Sequence, residues 1–369
     1  MKIVHAILSQ GFYGSERYCI ELATAQARAG HQVKVLIANA GSDCAHAFRH
    51  EIEIARAAIT TARTSGAIDL AIMSRWLPPI FHRVFARRVL SAFAPDIVHT
   101  HLNPAARRAG RIAQRLGIPH VATVHIRYEP REHSACDGLI CSTPWQRSEI
   151  GPEFHGEAAV IPAWMPAAIH ASLSRVTPAD VATLRATWGA DDRTVVLGSV
   201  GRLMPEKGMD VLVQAFRAAF LQGDESVRLV IVGGGPPDAV EQLRGLAAGD
   251  ARIKLVAPQP DIAPYYRAFD TYVSAARYEP FGLTILEAMA AGCALVVTRT
   301  QGPQEFLTAP SVLWAEPGDV ATLTAQLGAT ARRGRERASY DLSPYTQARA
   351  VTEIADLYGR VLARKRVSG

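Results

Sequence analysis

No apolar run in this 369-residue sequence approaches the roughly 18 residues that a bilayer-spanning helix requires, so the chain reads as soluble or peripheral. Low-complexity tracts are missing too. With 49% hydrophobic and 20% charged residues, the composition favours a packed interior over long disorder. Cysteine is scarce and unpatterned: Cys19, Cys44, Cys136, Cys141 and Cys293 are odd in number and show neither CxxC nor zinc spacing. That excludes a disulfide framework and points to a reducing cytoplasm. The net charge of +6 is not gathered into a dense basic run with interleaved aromatics, so nucleic acid is not an expected partner. Phosphate-bearing ligands or an anionic membrane surface suit that balance better. Lys2–Leu8 is short for the apolar part of a signal peptide and reads as a buried first strand.

What is present is an α/β pattern repeated twice, in a chain too long for one comfortable core. A strand at 2–8, a glycine loop from Gly11 to Gly14, a helix from Ser15 to Ala29 stopped by Gly30, and a strand at 32–38 make one βαβ unit. Further strands are predicted at 97–99, 121–124, 138–141 and 160–161. Residues 162–193, with Pro162, Pro166 and Pro178, read as a hinge with a short helix. A second series has strands at 194–200, 227–232, 253–256, 271–273 and 294–298, and a helix at about 208–222. Apolar residues at helical spacing from Tyr345 to Arg366 predict a closing helix.

The strongest local signal is Glu279-Pro-Phe-Gly-Leu-Thr-Ile-Leu-Glu287, which opens a helix that Gly292 fits as its C-terminal cap. Pro280 suits a first helical turn, whose N–H groups near Phe281, Gly282, Leu283 and Thr284 would face an anion such as a diphosphate. Glu279 and Glu287 would accept hydrogen bonds from hydroxyls along an extended ligand. Alone, two glutamates eight apart are as readily a solvated surface. A second element, Gly201-Arg202-Leu-Met-Pro-Glu-Lys207-Gly208, follows the first strand of the second series. There Arg202 and Lys207 would neutralise a leaving diphosphate, unless they are ordinary surface bases. Gly233 and Gly234 allow close backbone approach after another strand or simply make a tight turn. In the first half, Gly14 and Ser15 open a helix and would offer N–H groups to a phosphate. The Gly-x-Gly-x-x-Gly fingerprint is missing there, which disfavours a nicotinamide oxidoreductase. His125 follows a strand and would donate to a sugar hydroxyl or to phosphate, or else is structural. His99 and His101 read as structural.

Together these segments resemble the family 4 retaining glycosyltransferases (glycosyl transferases group 1). The residues that carry the resemblance are Gly14-Ser-Glu-Arg17, Ala29-Gly-His31, Pro95-Asp-Ile-Val-His99, Val124-His125, Gly201-Arg-Leu203, Glu206-Lys-Gly208, Val232-Gly-Gly-Gly235 and Glu279 to Glu287. The resemblance implies the GT-B fold, in which two Rossmann-like, doubly wound α/β domains face each other across a cleft. Here they would be residues 1–165, joined by the closing helix at about 345–369, and residues 175–345. It further implies that Arg202 and Lys207 hold the diphosphate of a nucleotide-sugar donor, Glu287 the ribose and Glu279 the transferred sugar. Phe281 to Thr284 would add backbone contacts, His125 would lie beside the sugar and Gly14 beside the phosphates. The implied reaction is metal-independent transfer of a hexose-type sugar with retention, assisted by the departing diphosphate and using no cofactor, and the sequence has no Asp-x-Asp motif. The acceptor would be a glycan, a lipid-linked molecule or lipopolysaccharide, with polysaccharide assembly a common setting. Two departures from the family stand out: Gly14-Ser15 where Gly-Gly is usual, and Val160-Ile-Pro-Ala-Trp164 where Asn-Gly is usual. An epimerase of the same shape or a non-catalytic nucleotide-sugar-binding protein would also fit the clefts.

The stretch from Arg75 to Phe93 places Leu77, Ile80, Phe81, Val84, Phe85 and Phe93 among Arg75, His82, Arg83, Arg87 and Arg88. It reads as a core helix with a solvated basic face, or as a surface for an anionic membrane at the inner face of the cell membrane.

Overall fold

A computed structural model describes residues 1–9, 11–39, 42–62, 64–74 and 79–368. Arg75 and Leu77 of the basic segment lie outside the described residues. The chain divides into two compact units: residues 1–164 with 345–369, and residues 165–344.

Unit 1 is a seven-stranded sheet ordered β3-β2-β1-β4-β5-β6-β7. Its strands are β1 (Lys2–Ile7), β2 (Gln32–Asn39), β3 (Ala67–Ser74), β4 (Ile97–His101), β5 (His120–Val124), β6 (Gly138–Cys141) and β7 (Glu157–Val160). Every pairing is parallel, with His5 opposite His99 and His101 opposite Thr123. One face of the sheet buries Ile7, Val33, Val35 and Ile37 against Ile20, Phe48 and Ile52. The other buries Val4, Ala6 and Val98 against Leu90 and Ile112. The closing helix Gln347–Ser368 contributes Ile354, Leu357 and Tyr358 to the interior of this unit.

Unit 2 is a six-stranded parallel sheet ordered β10-β9-β8-β11-β12-β13. It comprises β8 (Val195–Val200), β9 (Val227–Val232), β10 (Ile253–Val256), β11 (Thr271–Ser274), β12 (Ala294–Thr298) and β13 (Leu313–Ala315). Because a parallel strand covered on both faces favours apolar residues, β9 reads Val-Arg-Leu-Val-Ile-Val and is buried along its length, with the Arg228 guanidinium donating to the Trp188 and Gly189 carbonyls at 3.1 and 2.9 Å. The helix Met209–Ala219 packs Leu212, Ala215 and Phe216 on this sheet, beside Leu323 and Leu327 of the helix Val320–Arg333.

Several expectations are corrected. Helix Ser42–Ala62 and strand β3 were not predicted; β3 is an edge strand whose Asp69 pairs with Lys34 at 2.9 Å and Arg56 at 2.8 Å, which hides its apolar pattern. The strand expected at 160–161 is β7, at 157–160. Prolines in the supposed hinge start helices: Pro166 precedes Ala167–Leu173, and Pro178 opens Pro178–Thr187 behind a Thr177–Asp180 capping box. β13 and the helix Val320–Arg333 also went unread.

Candidate active site

In a doubly wound sheet, ligands bind beyond the carboxyl ends of the strands where the strand order reverses. In unit 2 that reversal lies between β8 and β11. The loop after β8 carries Gly201 to Gly208, and the loop after β11 carries Ala275 to Gly282. Adjacent strands therefore bring the two strongest sequence motifs together, and Lys207 Nζ donates to Glu279 Oε2 at 2.7 Å. Arg277 pins the loops to each other. Its guanidinium grips Asp210 through two bonds of 2.8 and 2.7 Å and donates to the Pro205 carbonyl at 2.7 Å, and its backbone N–H donates to the Glu206 carbonyl at 2.8 Å. Gly208 sits at φ +63°, where a Cβ would stand 2.0 Å from the Ala275 carbonyl oxygen, so only glycine permits this approach.

The expected helix begins later than the sequence suggests. It spans Leu283–Ala291, with Gly282 as its N-cap at φ +110°, so Pro280 lies in the preceding loop and not in the first turn. The left-handed Gly282 breaks the backbone between them. Leu283 and Thr284 open the helix, and their N–H groups have no acceptor within it. Tyr272 of β11 reaches this turn, with its hydroxyl 2.8 Å from Thr284 Oγ1 and 3.3 Å from the Val200 carbonyl. Phe281 stacks on Phe306 at 5.1 Å, and the Gly302 N–H donates to the Glu279 carbonyl at 2.9 Å, which holds the loop in place.

Glu279 and Lys207 are both largely covered. Glu279 is only 8% exposed, and its side chain pairs with a half-buried lysine. Oε2 takes the ammonium, which leaves Oε1 as an acceptor for a ligand hydroxyl. Glu287 is also buried and accepts from the Tyr266 hydroxyl at 2.7 Å. Burial, reinforced by that carboxylate, holds the Tyr266 phenol well above its ordinary pKa, so it remains a donor. Arg202 lies in the same loop as Lys207 but pairs with Glu206 at 3.1 Å and is largely exposed. Gly233, after β9, is close-packed: a Cβ there would meet the Gly201 carbonyl oxygen at 1.8 Å. The Leu203 N–H donates to the Gly234 carbonyl at 2.8 Å, so the 201–208 and 233–235 loops are laced together.

In unit 1 the order reverses between β1 and β4. Gly14 and Ser15 are the first residues of helix Gly14–Arg28, whose N-cap, Tyr13, donates its N–H to Glu16 Oε2 at 2.9 Å. His125 follows β5. Its Nε2 lies 3.2 Å from His101 Nδ1, and Tyr18, itself stacked on Trp164 at 4.3 Å, meets the imidazole edge-on at 5.1 Å. Burial holds the His125 pKa down at about 3, so the ring is neutral at pH 7. His99 and His101 are fully buried, as is His5 opposite His99. That His99, His101 and Thr123 share one sheet face follows from alternation along a strand, a signal that would have exposed this network in the sequence. Tyr272, Tyr266, Arg277 and Asp210, which support the unit 2 loops, left no comparable pattern.

The helix Pro79–Phe93 buries His82, Ala86 and Leu90 and packs Phe85 and Phe93 partly on the core. Phe81 and Val84 are 51% and 59% exposed, beside exposed Arg83, Arg87 and Arg88. Among the described residues, no helix is long and apolar enough to cross a membrane.

A solved Anabaena protein, HepE, crystallised with UDP and glucose, superposes with a TM-score of 0.70 at 19% identity, over 100% of this chain and 98% of that one. The fold is the two-domain α/β GT-B fold. Residues 12–163 match the family described as Glycosyltransferase Family 4, and residues 194–332 match glycosyl transferases group 1. The chain belongs to this glycosyltransferase family. A D-inositol 3-phosphate glycosyltransferase of Rhodococcus jostii is 27% identical over 63% of this chain and 61% of its own. The match thus spans about three fifths of that relative's length. A lipopolysaccharide core biosynthesis glycosyltransferase, LpsE of Rhizobium meliloti, is 28% identical over 83% of this chain and 82% of its own.

Proposed function

We propose that this chain is a cytoplasmic glycosyltransferase that moves a hexose-type sugar from a nucleoside diphosphate sugar to an acceptor hydroxyl, retaining the anomeric configuration and using no metal or other cofactor. The observation that carries the reading is the Lys207–Glu279 contact of 2.7 Å beside the helix start at Leu283 and Thr284, at the strand-order reversal of unit 2. It combines a cation and backbone N–H donors for a diphosphate with a carboxylate oxygen for a sugar hydroxyl.

In this reading Lys207 and Arg202 stabilise charge on the diphosphate as the bond between its oxygen and the anomeric carbon breaks. The leaving group departs with the bonding electrons. The acceptor oxygen attacks the same face, and its proton passes to the departing diphosphate oxygen. Glu279 orients the sugar, Glu287 the ribose, and Phe281, Gly282, Leu283 and Thr284 line the phosphates with backbone. Gly233 and Gly234 keep the neighbouring loop close, and family membership supports roles for Gly14 and Ser15 at a phosphate and for His125 at a sugar hydroxyl. The names of the relatives support an inositol phosphate or lipopolysaccharide-type acceptor, and exposed Phe81 and Val84 on a basic helix support peripheral contact with an anionic membrane where the acceptor is lipid-linked.

The test is a panel of nucleotide sugars screened by thermal shift, since a ligand of the native state raises its melting point. Turnover with glycan and lipid acceptors follows, with the product anomer read by NMR. Release of nucleoside diphosphate only with acceptor, and an unchanged anomeric configuration, is expected. Free altered sugar without acceptor would identify an epimerase instead, and tight binding without turnover a binding protein. An inverted product would overturn retention.

A further inference from the structure

One face of the unit 1 sheet holds a continuous chain of imidazoles. Gln26 Oε1 lies 2.7 Å from His5 Nε2, His5 Nδ1 lies 3.0 Å from His101 Nε2, and His101 Nδ1 lies 3.2 Å from His125 Nε2. A branch runs from Gln26 Nε2 to the Tyr358 hydroxyl at 3.4 Å, from that hydroxyl to His99 Nδ1 at 2.6 Å, and from His99 Nε2 to Thr123 Oγ1 at 2.7 Å. His99 and His101 stack at 4.3 Å, so the two branches cannot rotate independently.

A neutral imidazole has one N–H and one lone pair, so each link dictates the next. The Gln26 oxygen requires a proton on His5 Nε2, which leaves His5 Nδ1 to accept from His101 Nε2–H. His101 Nδ1 then accepts from His125 Nε2–H. Reversing the Gln26 amide would set two nitrogens 2.7 Å apart, a separation suited to N–H···O and short for N–H···N, and would leave a long oxygen contact to Tyr358. The branch agrees: Tyr358 accepts from Gln26 and gives its own proton to His99 Nδ1, so His99 also carries its proton on Nε2. Burial holds His5 at about 4 and His101 well below the usual imidazole value, which keeps these rings neutral.

We propose that Gln26, through His5 and His101, locks His125 as its Nε2–H tautomer, so that Nδ1 is presented beyond β5 as a hydrogen-bond acceptor. Among the described residues, Nδ1 of His125 has no protein partner. It takes a hydroxyl that donates to it and repels a phosphate oxygen, so it discriminates among the sugars of donors and does not hold their diphosphate. Gln26, His5 and His101 are positioning residues. This deepens the proposed function and rests on it only for the identity of the ligand.

The test has two arms. In the unliganded protein with heavy-nitrogen histidine labelling, the ring-nitrogen resonances of His5, His99, His101 and His125 are each expected to show Nε2–H with bare Nδ1. A proton on His125 Nδ1, or an imidazolium at neutral pH, overturns the proposal whether or not the chain turns over any sugar. His5, Cys19 and His101 also bring candidate ligand atoms within 4.8 Å of one another, so the metal content of the purified protein is measured as well. A stoichiometric metal that removes the His101 Nε2–H signal overturns the proposal too. In the second arm, Gln26→Met is expected to mix the His125 tautomers and weaken nucleotide-sugar affinity up to about tenfold, with affinity for the bare nucleoside diphosphate unchanged. Equal loss for the sugar-bearing and bare nucleotides would overturn it. Should Gln26→Met not fold, the wild-type spectra still decide.

Discussion

The two units share a sheet plan and a reversal of strand order, yet they bury polar groups by opposite chemistry. All but one of the twelve histidines belong to unit 1, and His5, His99, His101 and His120 are fully buried there with ring nitrogens hydrogen-bonded. Unit 2 has one exposed histidine, His170, and buries ion pairs instead. Arg185 meets Asp270 at 2.9 Å with both side chains almost wholly covered, and Arg252 meets Asp250 at 2.7 Å. Neutral rings satisfy one another at little desolvation cost but propagate a tautomer. Ion pairs fix loops firmly, and each partner becomes a liability once the other is removed.

The largest effects are expected where the unit 2 pairing meets the proposed chemistry. Lys207→Ala and Glu279→Ala should each lower kcat/KM by about a hundredfold to a thousandfold. Because the partner is left without its counter-charge in a half-buried site, each should also cost on the order of 2 kcal/mol of stability, discounted from a fully buried pair. The double variant should be less destabilised than the sum of the singles, read by urea unfolding. Near-normal kinetics in both singles would remove the pair from the site.

Acid should separate the two units. His5, His120 and His125 have folded pKa values of about 4, 4 and 3, held below 6.5 chiefly by burial. Between those values and 6.5 the unfolded chain binds more protons than the native one, so stability falls as pH drops through that window. The fully buried His5 and His120 rings each cost up to about 1.4 kcal/mol for every pH unit below the unfolded value until the folded value is reached, and the half-buried His125 costs less. In unit 2, Asp250 is held below the ordinary carboxylate value by its hydrogen bond from Arg252, so its contribution is lost only at more acid pH. Hydrogen exchange followed from pH 7 to pH 4 should show unit 1 opening first. Simultaneous opening of both units would mean that the histidine network does not set acid stability.

Much of this was legible in the residues. Alternating strands and helices, the Gly201–Gly208 loop and Glu279 to Glu287 stand out because glycines and charges interrupt apolar strands at their carboxyl ends. The meeting of Lys207 and Glu279 was not legible, because it depends on β8 and β11 being neighbours across a distance of many residues in sequence. The start of the helix at Leu283 was misread because Pro280 carries a genuine helix-start signal that the left-handed Gly282 overrides. The imidazole chain was missed for a different reason. His99 and His101 read as structural from the sequence, whereas their part in the chain depends on a shared sheet face with His5 and on the amide of Gln26.

A smaller effect is expected from Gly208→Ala, where φ +63° and a Cβ 2.0 Å from the Ala275 carbonyl oxygen force the loop away from β11. The expected cost is about 1–3 kcal/mol in thermal unfolding. Donor affinity should fall with it, because Lys207 is the neighbouring residue.

The smallest stability effect separates the two cations of that loop. Arg202 pairs with Glu206 four residues on, with side chains 46% and 35% exposed, so solvent screens the interaction and both groups remain hydrated when it is broken. Arg202→Ala should leave the melting point nearly unchanged, within about 0.5 kcal/mol, whereas Lys207→Ala should lower it. If Arg202 grips the diphosphate, the same variant should raise the Kd for both the nucleotide sugar and the bare nucleoside diphosphate, by calorimetry. That pattern is the reverse of the one expected for Gln26→Met, which spares the bare nucleotide. A stable Arg202→Ala protein with unaltered nucleotide affinity would leave Lys207 as the phosphate-binding side chain of the loop and return Arg202 to the solvated surface.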